Sequence, residues 1–419
     1  MSDVSLTTGY WLLIMDLSKT DDSHRFDYLL IITIAALLIV GLMMIYSATF
    51  ALGYQLYDQP TYYFIRQLLW TGVGLLVMII LARTEYHNWR RFSILLLTFT
   101  LLLLGMVLVI GQVRFGGQRW LFNGSIQPSE LSKLAIIIYI ADWLSSKGEQ
   151  IRRVSYGLIP FAILLGLITG LIVLQRSLST AILIAATALA MFFIAGGNLW
   201  QIIVTGILGG STIFFLTTQS AYRLARVAAF LDPINADPLD AGYQIRQILI
   251  ALGSGGITGL GLGASRQKFG YIPASHTDGI FAILGEELGL IGSLAVLGLF
   301  AFLAYRGFRV AMLAPDSFGR VLAAGITCSL IFQAIVNMGV VTASLPFTGV
   351  TLPFISFGGS SLVITMASAG LLLAVSRRTM PEDPQEKEER REVDHLRRRN
   401  RGARLSSPGR RAKAKAAVR

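Results

Sequence analysis

Residues 275–305 read SHTDGIFAILGEELGLIGSLAVLGLFAFLAY. From Gly279 to Tyr305 the run carries no charge except Glu286 and Glu287. At about 1.5 Å per residue it is long enough, as a helix, to cross a hydrocarbon core of about 30 Å. One carboxylate, Asp278, stands at its entrance, and two more lie roughly two turns inside. A bilayer penalises an ionised side chain at depth by about 2.5–3.5 kcal/mol, so acids kept there need partners or a function. Two readings stay open on these residues alone. Thr277 or Asp278 caps the helix and the glutamates pair with buried bases, or the acids act on a substrate.

The rest of the chain repeats the apolar pattern. Of 419 residues, 54% are apolar and 14% charged, with a mean hydropathy of +0.62. This is the composition of an all-α polytopic integral membrane protein. About ten spans are expected, over 28–49, 62–82, 93–111, 129–146, 157–174, 178–197, 199–217, 279–305, 318–341 and 359–376. The fourth is the weakest, because it carries Glu130, Lys133 and Asp142 and so must be buried among other helices. The first apolar run, from Tyr28, is too long for a signal-peptide core, so it is expected to stay as an anchor. The single cysteine, Cys328, excludes an intramolecular disulfide, and no His/Cys cluster of zinc-site density occurs.

Charge orients the spans. With the N-terminus in the cytoplasm, the inner loops carry Arg83, Arg90 and Arg91, then Lys147, Arg152 and Arg153, then Arg306 and Arg309. Dropping the fourth span would invert this pattern. Both termini are then cytoplasmic, with 1–27 as an N-terminal segment, 28–376 as the membrane domain and 377–419 as a basic, disordered tail. Much of the net charge of +12 sits in that tail. A polybasic segment beside a membrane suits anionic lipid, at about 1 kcal/mol per Lys or Arg, rather than nucleic acid. The loops at 112–128, 175–177, 218–278 and 342–358 all face outward, and the one between spans 7 and 8 is too long for a simple turn. Its stretch Gly253-Ser254-Gly255-Gly256 to Gly261-Leu262-Gly263 lacks the flanks of a P-loop and reads as backbone re-entering the membrane against protein.

Other polar positions fall on the same outer side. Gln127-Pro128-Ser129-Glu130 opens the fourth span, and Glu130 can pair with Lys133 three residues on. That pair is either structural or a cation offered to an anionic ligand and oriented by Glu130, with Arg66 and Arg119 adding positive charge. Leu345-Pro346 to Ser360-Ser361 is a rigid Pro/Gly-rich connector in which Ser356 and Ser360 could donate to phosphate or sugar. His276 stands alone beside Asp278 and reads as a solvated loop side chain.

Taken in order, these segments resemble the SEDS family (shape, elongation, division and sporulation), the FtsW/RodA/SpoVE peptidoglycan polymerases. The resemblance runs through Tyr46-Ser47-Ala48, Arg119-Trp120, Gln127-Pro128-Ser129-Glu130 with Lys133, and Phe230-Leu231-Asp232-Pro233. It continues through Gly242-Tyr243-Gln244, His276-Thr277-Asp278, Gly285-Glu286-Glu287-Leu288-Gly289, Asn337 and the 345–361 loop. Gly242-Tyr243-Gln244 and Thr351-Leu352-Pro353 are more similar to the FtsW branch than to RodA.

The resemblance implies a glycosyltransferase that polymerises lipid II outside the cytoplasmic membrane, with Asp278 as catalytic base and undecaprenyl pyrophosphate as leaving group. The candidate cations for that pyrophosphate are Lys133, Arg66 and Arg119, and the candidate substrate-binding residues around them are Glu130, Gln127, His276, Ser356 and Ser360. A divalent cation, Mg or Mn, could share the work, though no ligand set in the sequence fixes one. The implied partner is a single-pass class B penicillin-binding protein. Two positions depart from the family pattern. Ser177 stands where the family usually has an acid, in Gln175-Arg176-Ser177-Leu178-Ser179-Thr180, and Gly279 follows Asp278 in place of Phe. A lipid II flippase and a non-catalytic scaffold for the penicillin-binding protein are the rival readings.

Overall fold

Apolar runs this long have one way to satisfy their backbone in a bilayer, namely helix. The computed structural model describes residues 26–378 except 115–116, 121–126 and 233–240. The side chains of 113–114, 117–119, 222 and 241 are likewise outside the described set, as are both terminal segments anticipated above. The described helices are α1 Tyr28–Tyr57, α2 Tyr62–Arg83, α3 Tyr86–Arg91, α4 Ser93–Ile110, α5 Pro128–Lys147, α6 Ile159–Leu174 and α7 Leu178–Ile194. They continue as α8 Leu199–Thr218, α9 Ala221–Leu231, α10 Ala241–Gly255, α11 Ile280–Leu313, α12 Ser317–Val341 and α13 Gly359–Ser376.

A helix occupies each of the ten expected ranges. Eight are long and apolar enough to cross a membrane. The remaining two are α7, which is shorter, and α5, which carries the charges noted above. Two expected boundaries move. Helix α1 continues to Tyr57, so the loop after it shrinks to 58–61. Helix α11 runs on to Leu313 and takes Arg306 and Arg309 out of the loop assigned to them. The long segment before it holds α9 and α10. The loop after α4 adds a short antiparallel hairpin, β1 Gln112–Arg114 with β2 Gly117–Trp120.

Helices α12 and α13 form the interior. Helix α2 packs on α13, α5 and α7 pack on α12, and α11 packs on α12 and α1. Near one end of the bundle Asp27 caps α1 through Leu30 N (3.1 Å) and accepts two bonds from the buried Arg306 at 3.0 and 2.5 Å. Its own N–H meets Ser376 Oγ at 3.4 Å, so this pair ties together α1, α11 and α13.

Helix α11 is not continuous. Gly289 has φ 67° and ψ −164°, which breaks it one residue after the Glu286-Glu287-Leu288 turn. The break frees carbonyls and N–H groups that lipid could not satisfy. The Gly-rich segment supplies both kinds of partner. Leu260 and Gly261 donate to Glu286 O and Glu287 O at 3.0 Å, while Leu290 and Ile291 donate back to Gly256 O and Ile257 O at 3.0 and 3.1 Å. The two backbones touch because Gly259 and Gly289 have no Cβ. A Cβ on Gly259 (φ 83°) would fall on Glu287 O. Gly259→Ala is therefore expected to cost roughly 3 kcal/mol or more, as left-handed strain plus overpacking. Gly263→Ala has a similar φ of 79° but open space around its Cβ, and is expected to cost only about 1–2 kcal/mol. Thermal unfolding of the two variants in detergent checks the difference.

Candidate active site

The loop before α11 carries Asp278, and its conformation is imposed from outside. Neither Thr277 nor Asp278 caps α11, so the capping half of the first reading fails. The N-cap is Gly279 and has no side-chain capping bond. The Thr277 hydroxyl instead lies 3.0 Å from Asp278 Oδ1 and 3.0 Å from Ala274 O. From α12, Asn337 Nδ2 donates to Asp278 O (3.0 Å) and to Val350 O (2.7 Å). The 276–278 segment is stitched to the connector by Phe357 N to His276 O (2.9 Å) and Ser356 Oγ to Thr277 O (2.5 Å). Ala274 (φ 53°), Phe354 (φ 65°) and Arg176 (φ 60°) hold left-handed backbone without being glycine. Such strain persists where the surroundings over-determine it, and it concentrates at functional sites.

Asp278 is half-buried. Burial pushes its carboxyl up to about 6, against the Thr277 hydroxyl, the N–H groups of Asp278 and Gly279, and the Arg226 charge, which all favour the ionised form. His276 is not solvated as anticipated. It packs in a triangle of rings with Tyr63 (centroids 5.3 Å) and Phe357 (5.6 Å). Burial holds its imidazole down at about 4, so it is neutral near pH 7, and its Nδ1 is buried without a partner.

Lys133 joins the same cluster through α12. Its Nζ is 2.9 Å from Glu130 Oε2 and donates to Gln333 Oε1 at 2.8 Å. Gln333 in turn donates to Thr351 O at 2.9 Å. Gln333 and Asn337 are four residues apart, about 6 Å along the axis, so one face of α12 holds the Lys133 side chain and the Asp278 backbone carbonyl. Lys133 also lines a small, mainly apolar crevice with Ile136, Ile137, Leu183, Ile184 and Met191.

The other candidates are placed less centrally. Ser356 is buried, and its hydroxyl is used within the protein, donating to Thr277 O and accepting from Leu352 N at 2.7 Å. It holds the loop instead of presenting a donor to a ligand. Arg66 is exposed on α2, with Nη1 on the Tyr62 hydroxyl at 3.0 Å. Gln127 is half-buried at the N-cap of α5 without a side-chain capping bond. Ser360 is half-buried in the first turn of α13. Arg119 belongs to β2, and its side chain lies outside the described set. Ser177 Oγ pairs with Thr180 Oγ1 at 2.9 Å.

The glutamates of α11 form a second, buried cluster. Glu286 accepts from Ser265 Oγ (2.5 Å) and Arg266 N (3.0 Å). Glu287 accepts from Ser47 Oγ (2.6 Å) and Lys268 Nζ (3.1 Å). The pairing reading therefore holds for Glu287, whose base is Lys268, which the sequence did not single out; Glu286 is held instead by a hydroxyl and backbone N–H groups. Arg226 was missed as well.

A bundle of membrane-length helices, broken at Gly289 by a backbone clasp and carrying a cluster of polar side chains around Asp278, defines a polytopic helical membrane protein. The chain belongs to the FtsW/RodA/SpoVE family of cell cycle proteins, whose family model matches residues 27–380. It is 42% identical to stage V sporulation protein E of Bacillus subtilis over 84% of this chain and 97% of that one. It is 40% identical to a probable peptidoglycan glycosyltransferase FtsW of Trichlorobacter lovleyi over 84% and 93%. Among solved structures, one titled "Structural coordination of polymerization and crosslinking by a peptidoglycan synthase complex" matches with a TM-score of 0.71, at 29% identity over 85% of this chain and 99% of that chain. The rod shape determining protein RodA of Thermus thermophilus matches at 0.64, with 28% identity over 86% and 100%. The FtsW-like character read from the motifs agrees with these relatives.

Proposed function

We propose that the chain is a peptidoglycan glycosyltransferase that polymerises lipid II at the outer face of the bacterial cytoplasmic membrane. The observation that carries the mechanism is Asp278, a half-buried carboxylate of raised pKa fixed by α12 and the 345–357 connector. A base with pKa about 6 is ionised near pH 7 yet basic enough to take a proton in the transition state. Asp278 removes the proton of the acceptor GlcNAc 4-hydroxyl as that oxygen bonds to C1 of the donor MurNAc. The bond from C1 to the pyrophosphate oxygen breaks with inversion, and undecaprenyl pyrophosphate leaves. Lys133 of α5, tied to α12 through Gln333, meets the developing charge of that leaving group, and the crevice beside it is lined mainly by apolar side chains.

Among the described residues no group of three or more His, Cys, Asp or Glu could hold a metal ion. A protein-built cage therefore does not fit these side chains. Mg or Mn, if used, would be carried mainly by the substrate diphosphate, the usual way Mg is held at phosphates. In this reading both termini are cytoplasmic, the protein serves at the division septum or the elongating wall, and a class B penicillin-binding protein supplies cross-linking. The 28–376 domain is the catalytic unit.

The test is a gel of products from purified protein, lipid II and divalent cation, with and without the class B partner. A glycan ladder supports a polymerase. Translocation in liposomes without polymer would favour a flippase, and neither activity would favour a scaffold. The Lys133 role has its own test. Lys133→Met combined with Glu130→Gln, which avoids a buried unpaired carboxylate, is expected to lower kcat/KM roughly 10²-fold with little change in melting temperature.

A further inference from the structure

Residues 347–351 form a strap whose carbonyls are pinned one after another by side chains from three helices. Arg226 Nη1 of α9 donates to Phe347 O (3.3 Å), and its guanidinium also lies over the Phe347 ring, 5.0 Å from the centroid. Ser179 Oγ of α7 donates to Thr348 O (3.0 Å). Asn337 and Gln333 of α12 hold Val350 O and Thr351 O. Between these anchors Gly349 takes φ 67°, and a Cβ built on it would meet Asp278 Oδ2 at 3.5 Å. The strap is thus the wall that faces the carboxylate.

We propose that Arg226 is a positioning residue for Asp278, anchoring the outer end of this strap while keeping a positive charge within reach of the carboxylate. The proposal rests on the reading of Asp278 as the base. The groups that touch Asp278 leave a distinct role for a charge. Thr277 and Asn337 are neutral, and His276, two residues before it, is neutral near pH 7. The Arg226 charge favours the ionised carboxylate against burial. It also does so from the helix that opens the long outer segment, so the place of α9 and the basicity of Asp278 are coupled.

The experiment is the pH profile of lipid II polymerisation for the wild type, Arg226→Gln, Arg226→Lys, Ser179→Ala and Asp278→Asn. Removing the cation raises the carboxyl pKa, so the acid limb of Arg226→Gln is expected to move up on the order of 1 pH unit. Its plateau rate also falls severalfold, because the strap is released. Arg226→Lys keeps the charge but loses the fork geometry, so its limb returns toward wild type while the plateau stays low. Ser179→Ala loosens the strap alone, giving a lower plateau with an unmoved limb. An unmoved limb in Arg226→Gln with Asp278→Asn inactive would overturn the inference and leave the base intact. Normal polymer from Asp278→Asn would overturn the base reading itself. If Arg226→Gln does not fold, a wild-type plateau in Arg226→Lys would still refute the strap role.

Discussion

Asp278→Asn is expected to stop glycan polymerisation while leaving the protein folded and able to bind lipid II. The amide has almost the shape of the carboxylate and can still accept from the Thr277 hydroxyl, now 3.0 Å away. The Asn337 bond goes to the Asp278 backbone carbonyl, so the substitution leaves it in place. What is lost is the proton acceptor. General-base catalysis contributes about 10²–10⁴-fold, and a fall of that size in initial rate, with an unchanged melting temperature, is the expected result. The wild-type rate should also report the same group. With a carboxyl near 6, the ionised fraction rises about tenfold from pH 5 to pH 7 and then levels. Activity should climb over that window and hold above it. Glycan strands of normal length and rate from Asp278→Asn would remove Asp278 from the chemistry.

Much of this could be read from the sequence because lipid leaves few choices. Helices were recoverable from hydropathy at all ten ranges, and the weak fourth span was kept by charge asymmetry. Its burdens prove to be paired, Glu130 with Lys133 and Asp142 with Arg90 at 2.8 Å. The break at Gly289 was not legible, since a glycine inside an apolar run looks like any helix interior. Its partner segment lies about 30 residues earlier, joined by backbone bonds that carry no side-chain signature. Arg226 and Lys268 were missed for a related reason. Both sit in the long segment between α8 and α11, where no helical period links them to Asp278 or Glu287. A usable signal existed for the α12 contacts. Gln333 and Asn337 are buried polar residues four apart in an apolar helix, a spacing that marks one face with work to do. Ser356 looked like a donor to ligand because exposure was assumed for a loop, and burial redirected its hydroxyl inward.

The second large effect is expected at the buried cluster under the clasp, where a double-mutant cycle separates charge pairing from packing. Lys268 Nζ contacts Glu287 Oε1 (3.1 Å), Ser47 Oγ (3.2 Å) and Gly263 O (2.7 Å), so it joins α1, the Gly-rich segment and α11. Both partners are almost fully shielded, with side-chain exposures of 5% and 0%. Lys268→Met leaves a carboxylate buried with only Ser47 and the Ser265 N–H (3.3 Å) to serve it. Breaking a buried pair from one side costs about 3–5 kcal/mol, most of it the unpaired charge. Glu287→Gln alone strands the ammonium and should cost a similar amount. The double variant, Lys268→Met with Glu287→Gln, removes both charges and keeps side-chain volume, so most of that loss should return. A coupling energy of about 2 kcal/mol or more in thermal or denaturant unfolding fits a true buried pair. Additive single effects would mean that the clasp is held by the reciprocal backbone bonds at Gly259 and Gly289 alone, with Lys268 contributing only its bond to Gly263 O.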